Sequence, residues 1–345
     1  MVENIAKQEI VMAWLVEYAL LATQIEKNLL LQKKLNMKIL GIGNAIVDVI
    51  CKVNDNFINQ NNLTKSTMKL FFDENEFKSL LTNLKIEKTV SGGSVANSIV
   101  GLSQLGNKVG FIGKVSDDDF GGKYEQGLKK ENVEYFYSKK KEELPTGTCL
   151  ILVTPDSERT MCTFLGTAGK INENDVDTDV IKKSEMIFLE GYLWDEGEPK
   201  KAFDKAIKSA NKVAMSLSDQ FCVDRHKIHF LELVKNKLDI TFANEQEMTS
   251  LIEANNFEEV INFSKQINKL VVVTRGEKGA IAIQGDEVVE SEIIKNLKIL
   301  DLTGAGDLFA SGFLHGYVNK LSIKESLQKG TKMSAKVIQQ IGARL

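Results

Sequence analysis

Late in the chain stands the string Asp301-Leu302-Thr303-Gly304-Ala305-Gly306-Asp307, followed at once by the apolar, proline-free run of residues 308–314. Gly304, Ala305 and Gly306 carry little or no side chain, so the backbone there can approach a ligand closely. The apolar run reads as a buried helix beginning at the string. A small-residue turn that opens a helix gathers several N–H groups at the positive end of the helix dipole, which makes an anion site. A carboxylate such as Asp307 would be repelled there unless it has other work. The chemistry that fits is proton abstraction from a hydroxyl that attacks a phosphate. The plain alternative is a helix start carrying an N-terminal charge.

Four further strings carry residues of the right kind. In Ser91-Gly92-Gly93-Ser94-Val95-Ala96-Asn97 paired glycines permit a tight turn, and Asn97, one turn into the following helix, can both donate and accept. A purely structural turn has the same signature. Asn244-Glu245-Gln246-Glu247 lies at a strand-to-helix junction, where a carboxylate can hold hydrated Mg²⁺ through water. An ordinary acidic first helical turn looks identical. Thr274-Arg275-Gly276-Glu277-Lys278-Gly279 joins two apolar runs, either as a loop for nucleotide phosphate or base or as a simple hairpin turn. Finally, Gly43-Asn44-Ala45-Ile46-Val47-Asp48 follows the first strand, and Asp48 could accept hydrogens from a polyol. Gly41 and Gly43 imitate a dinucleotide fingerprint, but Ile46 occupies the third glycine position and excludes it. Asp119-Phe120-Gly121 lacks the companion motifs of a protein kinase and is expected in a turn. Gly122-Lys123 lacks the upstream glycine of a P-loop.

These strings need a scaffold that brings distant segments to one edge. Strands are expected at 39–43, 109–112, 186–189, 213–216, 240–243 and 270–274, with helices at 95–105, 200–210, 230–237 and 257–267 between them. Apolar strands alternating with helices indicate a parallel sheet covered on both faces, with ligands at the carboxyl ends of the strands. Residues 148–154 and 159–165, separated by Pro155-Asp156-Ser157-Glu158, read as a hairpin. With the helix-poor stretch near 49–72, it is expected to form a small antiparallel flap that excludes water.

Composition bounds the rest. The 345 residues are 43% hydrophobic and 26% charged, enough for one large domain or two modest ones. A net charge of −3 and no long Lys/Arg block leave no nucleic-acid footprint; Lys139-Lys140-Lys141 runs into two glutamates and reads as a solvated loop. Cys51, Cys149, Cys162 and Cys222 are far apart without a C-x-x-C, which opposes a zinc or disulfide framework and fits a reducing cytoplasm. His226 and His229 read as residues of a surface helix, and His315 as a packed or capping residue. Residues 10–22 are apolar but broken by Glu17, too short to span a membrane and without the marks of a signal peptide. The folded domain is therefore expected to start near Met37, with residues 1–36 a helical extension or an artefact of start-site choice.

The order of the strings GNAIVD, SGGSVANS, VTRGEKG and DLTGAGD, spread over residues 37–345, resembles the PfkB family of ribokinase-like kinases. That resemblance implies a ribokinase-like three-layer α/β/α sandwich with a mostly parallel central sheet and a small β-sheet lid, here near 49–72 and 140–166. It implies ATP-dependent phosphorylation of a sugar or nucleoside, with Asp307 as base and Gly304, Ala305 and Gly306 as anion hole. Asn44, Asp48, Gly92, Gly93 and Asn97 then correspond to substrate contacts. Asn244 and Glu247 match the element that serves magnesium and phosphate, and Thr274, Gly276 and Gly279 the nucleotide loop. Asp301 and Thr303 fall where some members bind a monovalent cation such as K⁺, although Leu302 replaces the usual small or β-branched residue.

The branch is read from the middle of the chain. Sugar kinases of the family often carry D-x-N-x-R after the central strand. Here Ser216-Leu217-Ser218-Asp219-Gln220-Phe221 is similar to the N-L-S-x-x-F string of adenosine kinases, and Glu190-Gly191-Tyr192-Leu193 leans the same way. The resemblance thus implies a cytoplasmic adenosine kinase-like enzyme of purine salvage, using ATP and Mg²⁺. A sugar kinase of fructokinase or ribokinase type is the alternative, and a non-catalytic nucleoside sensor a further one. The partner is a small molecule, not nucleic acid or membrane, and the protein is expected as a monomer or a lid-mediated homodimer.

Overall fold

The computed structural model describes residues 37–156 and 158–345. The expected extension at 1–36, like Ser157 in the hairpin turn, lies outside the described residues. Fourteen strands are formed among them: β1 (Met37–Ile42), β2 (Ile46–Lys52), β3 (Met68–Phe71), β4 (Ile86–Gly92), β5 (Val109–Ile112), β6 (Glu134–Tyr135), β7 (Gly147–Val153), β8 (Arg159–Phe164), β9 (Ser184–Glu190), β10 (Val213–Ser216), β11 (Ile240–Asn244), β12 (Leu270–Thr274), β13 (Ala280–Gln284) and β14 (Glu287–Glu290).

Nine of them make a large sheet in the order β14-β13-β12-β11-β10-β9-β1-β5-β6. From β6 through β12 every pairing is parallel; β13 and β14 close the edge antiparallel. The strands are apolar on both faces because both are covered. Leu270 and Val272 point into one core, with helices Ser94–Gln104, Ala305–Val318 and Ile323–Val337. Val271 and Val273 point into the other, with helices Glu198–Ser209, Gln220–Asn236, Glu245–Ile252 and Phe257–Ile267. This is the parallel sheet covered on both faces that the alternating pattern indicated, and the ribokinase-like three-layer sandwich that the resemblance implied.

The second sheet, ordered β3-β8-β7-β2-β4, is the lid. The hairpin of β7 and β8 forms as expected, with Thr148 opposite Phe164 and Val153 opposite Arg159. The lid is larger than the sequence suggested and mixed rather than antiparallel, since β2 with β7 and β3 with β8 pair parallel. Strand β4, rich in exposed polar residues, joins it antiparallel to β2, and the stretch near 49–72 holds a helix, Asp55–Gln60, capped by Asn54. The chain passes from core to lid after β1 and returns at Gly92-Gly93. It passes again before Gly147 and returns through the 3-10 turn Gly166–Lys170.

Two smaller expectations are corrected. Asp119-Phe120-Gly121 is not in a turn: it opens the helix Asp119–Lys130, because Asp118 caps it by accepting from the Gly121 N–H. His226 is not a surface residue. It lies at a kink inside Gln220–Asn236, is buried, and packs edge-on against Trp194 at 4.6 Å between ring centres. His315 is packed, as read, with its Nδ1 at 2.9 Å from the Asn107 amide. All four cysteines are free and buried. Among the described residues no helix is long and apolar enough to cross a membrane, and no three His, Cys, Asp or Glu side chains gather as a metal site.

Candidate active site

Asp307 lies in the first turn of Ala305–Val318. Its Oδ1 accepts from Ser94 Oγ at 2.6 Å and its Oδ2 from Asn97 Nδ2 at 3.0 Å, both donors standing on Ser94–Gln104. The two helices are locked together just beneath the carboxylate. Ser98 Oγ donates to the Asp307 carbonyl at 2.9 Å, and Ser311 Oγ to the Ser98 carbonyl at 2.8 Å. They approach this closely because Gly101 faces Ser311; a Cβ at 101 would come within 2.5 Å of its Oγ. Burial pushes the Asp307 carboxyl up to about 6, opposed by the Ser94 and Asn97 hydrogen bonds and by the charge of Arg344. A carboxyl poised there is ionised at neutral pH and still basic enough to accept a proton.

The small-residue turn precedes it. Gly304 has φ of 77°, a left-handed conformation that a side chain disfavours, and a Cβ there would lie 2.6 Å from the Cα of Ala343. Gly306 differs: a Cβ at that position would meet no protein atom within 4 Å. Open space above helix-opening N–H groups fits a phosphate. Gly304, Ala305, Gly306 and Asp307 are thus brought together as the sequence implied.

A second group of predicted site residues gathers at the crossings between core and lid. Asp48, on β2, stands opposite Val90 in the ladder, and its carboxylate lies against Gly92, where a Cβ would collide with it. Gly93, with φ of 100°, turns against the carbonyl of Asn44, so two crossings touch. Burial pushes Asp48 up to about 7; Arg344 lowers it, Asp307 raises it and Arg159 lowers it. Asn44 is fully buried rather than open to a ligand. Its Nδ2 donates to Glu190 Oε1 at 2.9 Å, and its Oδ1 is left without a protein partner. Glu190, at the carboxyl end of β9, also accepts from Val95 N–H at 3.0 Å, and burial raises it to about 7. This buried carboxylate ties the first crossing to the start of the helix that bears Ser94 and Asn97.

Asn244 and Glu247 form a reciprocal cap on Glu245–Ile252. Asn244 Oδ1 accepts from the Glu247 N–H at 2.8 Å, and Glu247 accepts from the Asn244 N–H at 3.0 Å and from its amide at 2.6 Å. Glu247 is buried and raised to about 7, by burial first and then by the Asn244 N–H, which lowers it, and Asp219, which raises it. One such carboxylate, without the further acids that would strip an ion of its waters, fits Mg²⁺ held through water. Thr274 pairs with Asn244 in register, so the loop Arg275–Gly279 rises beside the cap. Gly276 and Gly279 both take positive φ, and Arg275 Nε is held by Glu245 at 3.0 Å. Asn44, Glu190, Asn244 and Thr274 end or follow the parallel strands β1, β9, β11 and β12 at the carboxyl edge of the sheet, whereas Gly93 and Asn97 follow the lid strand β4.

Asp301 and Thr303 do not fit a monovalent cation. Asp301 Oδ1 accepts from Thr303 N–H at 3.0 Å and Oγ1 at 2.7 Å; Oδ2 accepts from Gly342 N–H at 2.8 Å and pairs with Arg159 of β8 at 2.6 Å. The Arg159 guanidinium already supplies a positive charge to this carboxylate.

Three participants were not singled out from the sequence. Ser94 and Glu190 were inside quoted strings but had no assigned task. Arg344 lay outside every string; its Nε donates to Asn97 Oδ1 at 2.9 Å. Nothing in the local pattern around 344 marks it.

The comparisons with known proteins agree with this geometry. The chain is similar to 5-dehydro-2-deoxygluconokinase of Clostridium beijerinckii, with 31% identity over 73% of this chain and 79% of that protein. Among solved structures it is similar to a probable sugar kinase from Rhizobium etli CFN 42, with a TM-score of 0.80 and 38% identity over 89% of this chain and 94% of that one. It is equally similar to adenosine kinase from Sinorhizobium meliloti, with a TM-score of 0.80 and 35% identity over 90% of this chain and 96% of that one. The pattern of the pfkB family carbohydrate kinases matches residues 64–345, which takes in every string except GNAIVD. With a ribokinase-like sandwich, a lid and a carboxylate beside a helix-opening turn, the chain belongs to the pfkB family of carbohydrate kinases, phosphotransferases with a sugar or nucleoside acceptor.

Proposed function

We propose that the protein transfers the γ-phosphoryl group of ATP to the 5′-hydroxyl of adenosine, giving AMP and ADP, with residues 37–345 as the working unit. The observation that carries phosphoryl transfer is the Asp307 carboxylate, held by Ser94 and Asn97 beside the open space over Gly306. The adenosine acceptor is supported by the similarity to the Sinorhizobium meliloti enzyme and by the string Ser216–Phe221 at the end of β10.

In this reading Asp48 accepts hydrogen bonds from ribose hydroxyls and Asn97 helps fix the acceptor. Asp307 takes the proton of the attacking hydroxyl. The hydroxyl oxygen forms its bond to the γ-phosphorus as the bond to the β–γ bridging oxygen breaks, and ADP departs with that electron pair. N–H groups of Gly304, Ala305 and Gly306 face the charge on the transferring group. Thr274, Gly276 and Gly279 border the nucleotide. Magnesium held through water by Glu247 would neutralise phosphate charge. Closure of the lid excludes competing water. Free buried cysteines suit a reducing cytoplasm, and the product suits purine salvage.

A sugar-acid acceptor is the second reading, favoured by the 5-dehydro-2-deoxygluconokinase relatives. The test incubates purified protein with ATP and Mg²⁺ against nucleosides, ribose, fructose and 5-dehydro-2-deoxygluconate, and measures ADP. Adenosine-dependent ADP with AMP recovered by chromatography is expected. Turnover with the sugar acid alone would transfer the assignment to the second reading. Adenosine binding without ADP release would make the protein a sensor.

A further inference from the structure

We propose that Arg344 is a positioning residue for phosphoryl transfer: it fixes the amide of Asn97 so that Asn97 holds Asp307, and it supplies the positive charge that Asp48 and Asp307 share. The inference rests on the phosphotransfer reading of the site.

The segment bearing Arg344 is fastened at several points. Gly342 N–H donates to Asp301, Ala343 packs on Gly304, Gln104 Nε2 donates to the Leu345 carbonyl at 3.1 Å, and Gln340 donates to the Arg344 carbonyl. Two of these contacts are with the loop that forms the anion hole. The guanidinium is therefore placed by the same loop that places Asp307.

Its effect on Asn97 follows from donor inventory. An amide has one accepting end and one donating end, and a guanidinium only donates. Arg344 Nε must therefore meet Asn97 Oδ1, as it does at 2.9 Å, which leaves Nδ2 to donate to Asp307 at 3.0 Å. Arg344, Asn97 and Asp307 form one line of donors ending on the base. Arg344 Nη2 is buried without a protein acceptor, a cost that packing alone would not retain.

The charges around Asp307 make this arginine consequential. Helix Ser94–Gln104 presents Ser94 and Asn97, which are neutral. Strand β2 presents Asp48, β9 presents Glu190, and Tyr192 follows it; none of these is cationic. Arg159 from β8 acts on Asp48, but Arg344 is the cation that acts on both Asp48 and Asp307. Without it two carboxylates repel in a poorly solvated site, and the base holds its proton to higher pH.

The experiment compares kcat/KM from pH 5 to 9 for wild type, Arg344→Met, Arg344→Gln and Arg344→Lys, using the acceptor on which the wild type yields ADP. The acid limb of the methionine and glutamine variants is expected about one unit higher. Their loss is then about fivefold near pH 6, approaches about tenfold by pH 5 and shrinks above pH 8. Lysine should return the limb while leaving a several-fold lower kcat, because an ammonium lacks the planar fork. An unmoved limb with a uniform loss at every pH, or no loss at all, would overturn the proposal. If the methionine variant misfolds, as read by circular dichroism, the glutamine variant decides. The carboxyl titration of Asp307, followed by carbon-13 NMR and assigned with Asp307→Asn, reads the same shift without turnover. A wild type that makes no ADP from any acceptor would sink the phosphotransfer reading, while the carbon-13 titration would still judge Arg344.

Discussion

Arg159, on a lid strand, pairs with Asp301 at 2.6 Å, and Asp301 opens the loop that carries the proposed anion hole at Gly304–Gly306. Both side chains are largely buried, at 16% and 9% exposed, so the contact is shielded from screening by salt. The lid and the loop leading to Gly304 are joined through this pair.

The pair leads to a prediction about ions. With its carboxylate already matched by a guanidinium, Asp301 has no need of a metal counter-ion. Replacing Na⁺ by K⁺ at constant ionic strength should change kcat/KM by less than about twofold, a difference of under ~0.5 kcal/mol. A tenfold stimulation by K⁺ would show that Arg159 yields the site.

Asp307→Asn should lower kcat by about 10² to 10⁴, the usual contribution of a general base. ATP affinity, measured by calorimetry, should stay near that of the wild type, since the amide keeps the shape and the phosphate N–H groups are untouched. Near-full turnover would remove Asp307 from the role of base.

Gly304 and Gly306 should fail differently. A side chain at 306 meets open space, so Gly306→Leu should keep its melting temperature within a few degrees and lose about 10²-fold or more in kcat, as for other damaged charge-stabilising sites. At 304 the left-handed backbone and the nearness of Ala343 oppose any Cβ, so Gly304→Ala should cost about 1–2 kcal/mol of stability. Thermal melts beside activity assays separate the two. Equal melting temperatures for both variants would contradict this division.

Buried acids give the protein a pH signature. Glu190 and Glu247 titrate near 7 when folded, above their ordinary 4.5, so the folded state binds more protons than the unfolded chain in that window. Stability from these groups is greatest below about 4.5 and is lost as pH rises towards 7. The melting temperature contributed by Glu190 should fall between pH 5 and 7. Glu190→Gln should flatten that part of the curve, and should be less stable than wild type at pH 8, because an amide cannot accept from both Asn44 and Val95. An unchanged slope in the variant would place the titration elsewhere.

What could be read from the sequence was whatever lies next to itself in the chain. Gly304–Asp307, Gly92-Gly93 with Asn97, and Asn244 with Glu247 each fit within one turn of backbone, so type and spacing gave the local geometry. The core strands were visible because burial on both faces leaves unbroken apolar runs. Strand β4 was not, since it opens on three exposed residues, Ile86, Glu87 and Lys88, two of them charged, and looks like loop; its strand character comes from pairing with β2. His226 looked superficial because its side chain is polar, yet it falls at helical spacing between the buried Val223 and Phe230 and packs against Trp194. Arg344 meets Asn97 across 247 residues, and no local pattern encodes a contact of that range. Asn44 meets Glu190 through its Nδ2 across 146 residues, a contact that its polar type did not disclose.

The glycine at 101, facing Ser311 where two helices cross, carries a lesson for tracing damage in this molecule. A methyl group introduced there would pry the helix of Ser94 and Asn97 away from that of Asp307. Such a lesion, well below the pocket floor, would be scored as a packing defect in a survey of melting points, yet its first symptom would be a misaimed proton acceptor. The spacing of that crossing is the gauge to which the chemistry is set.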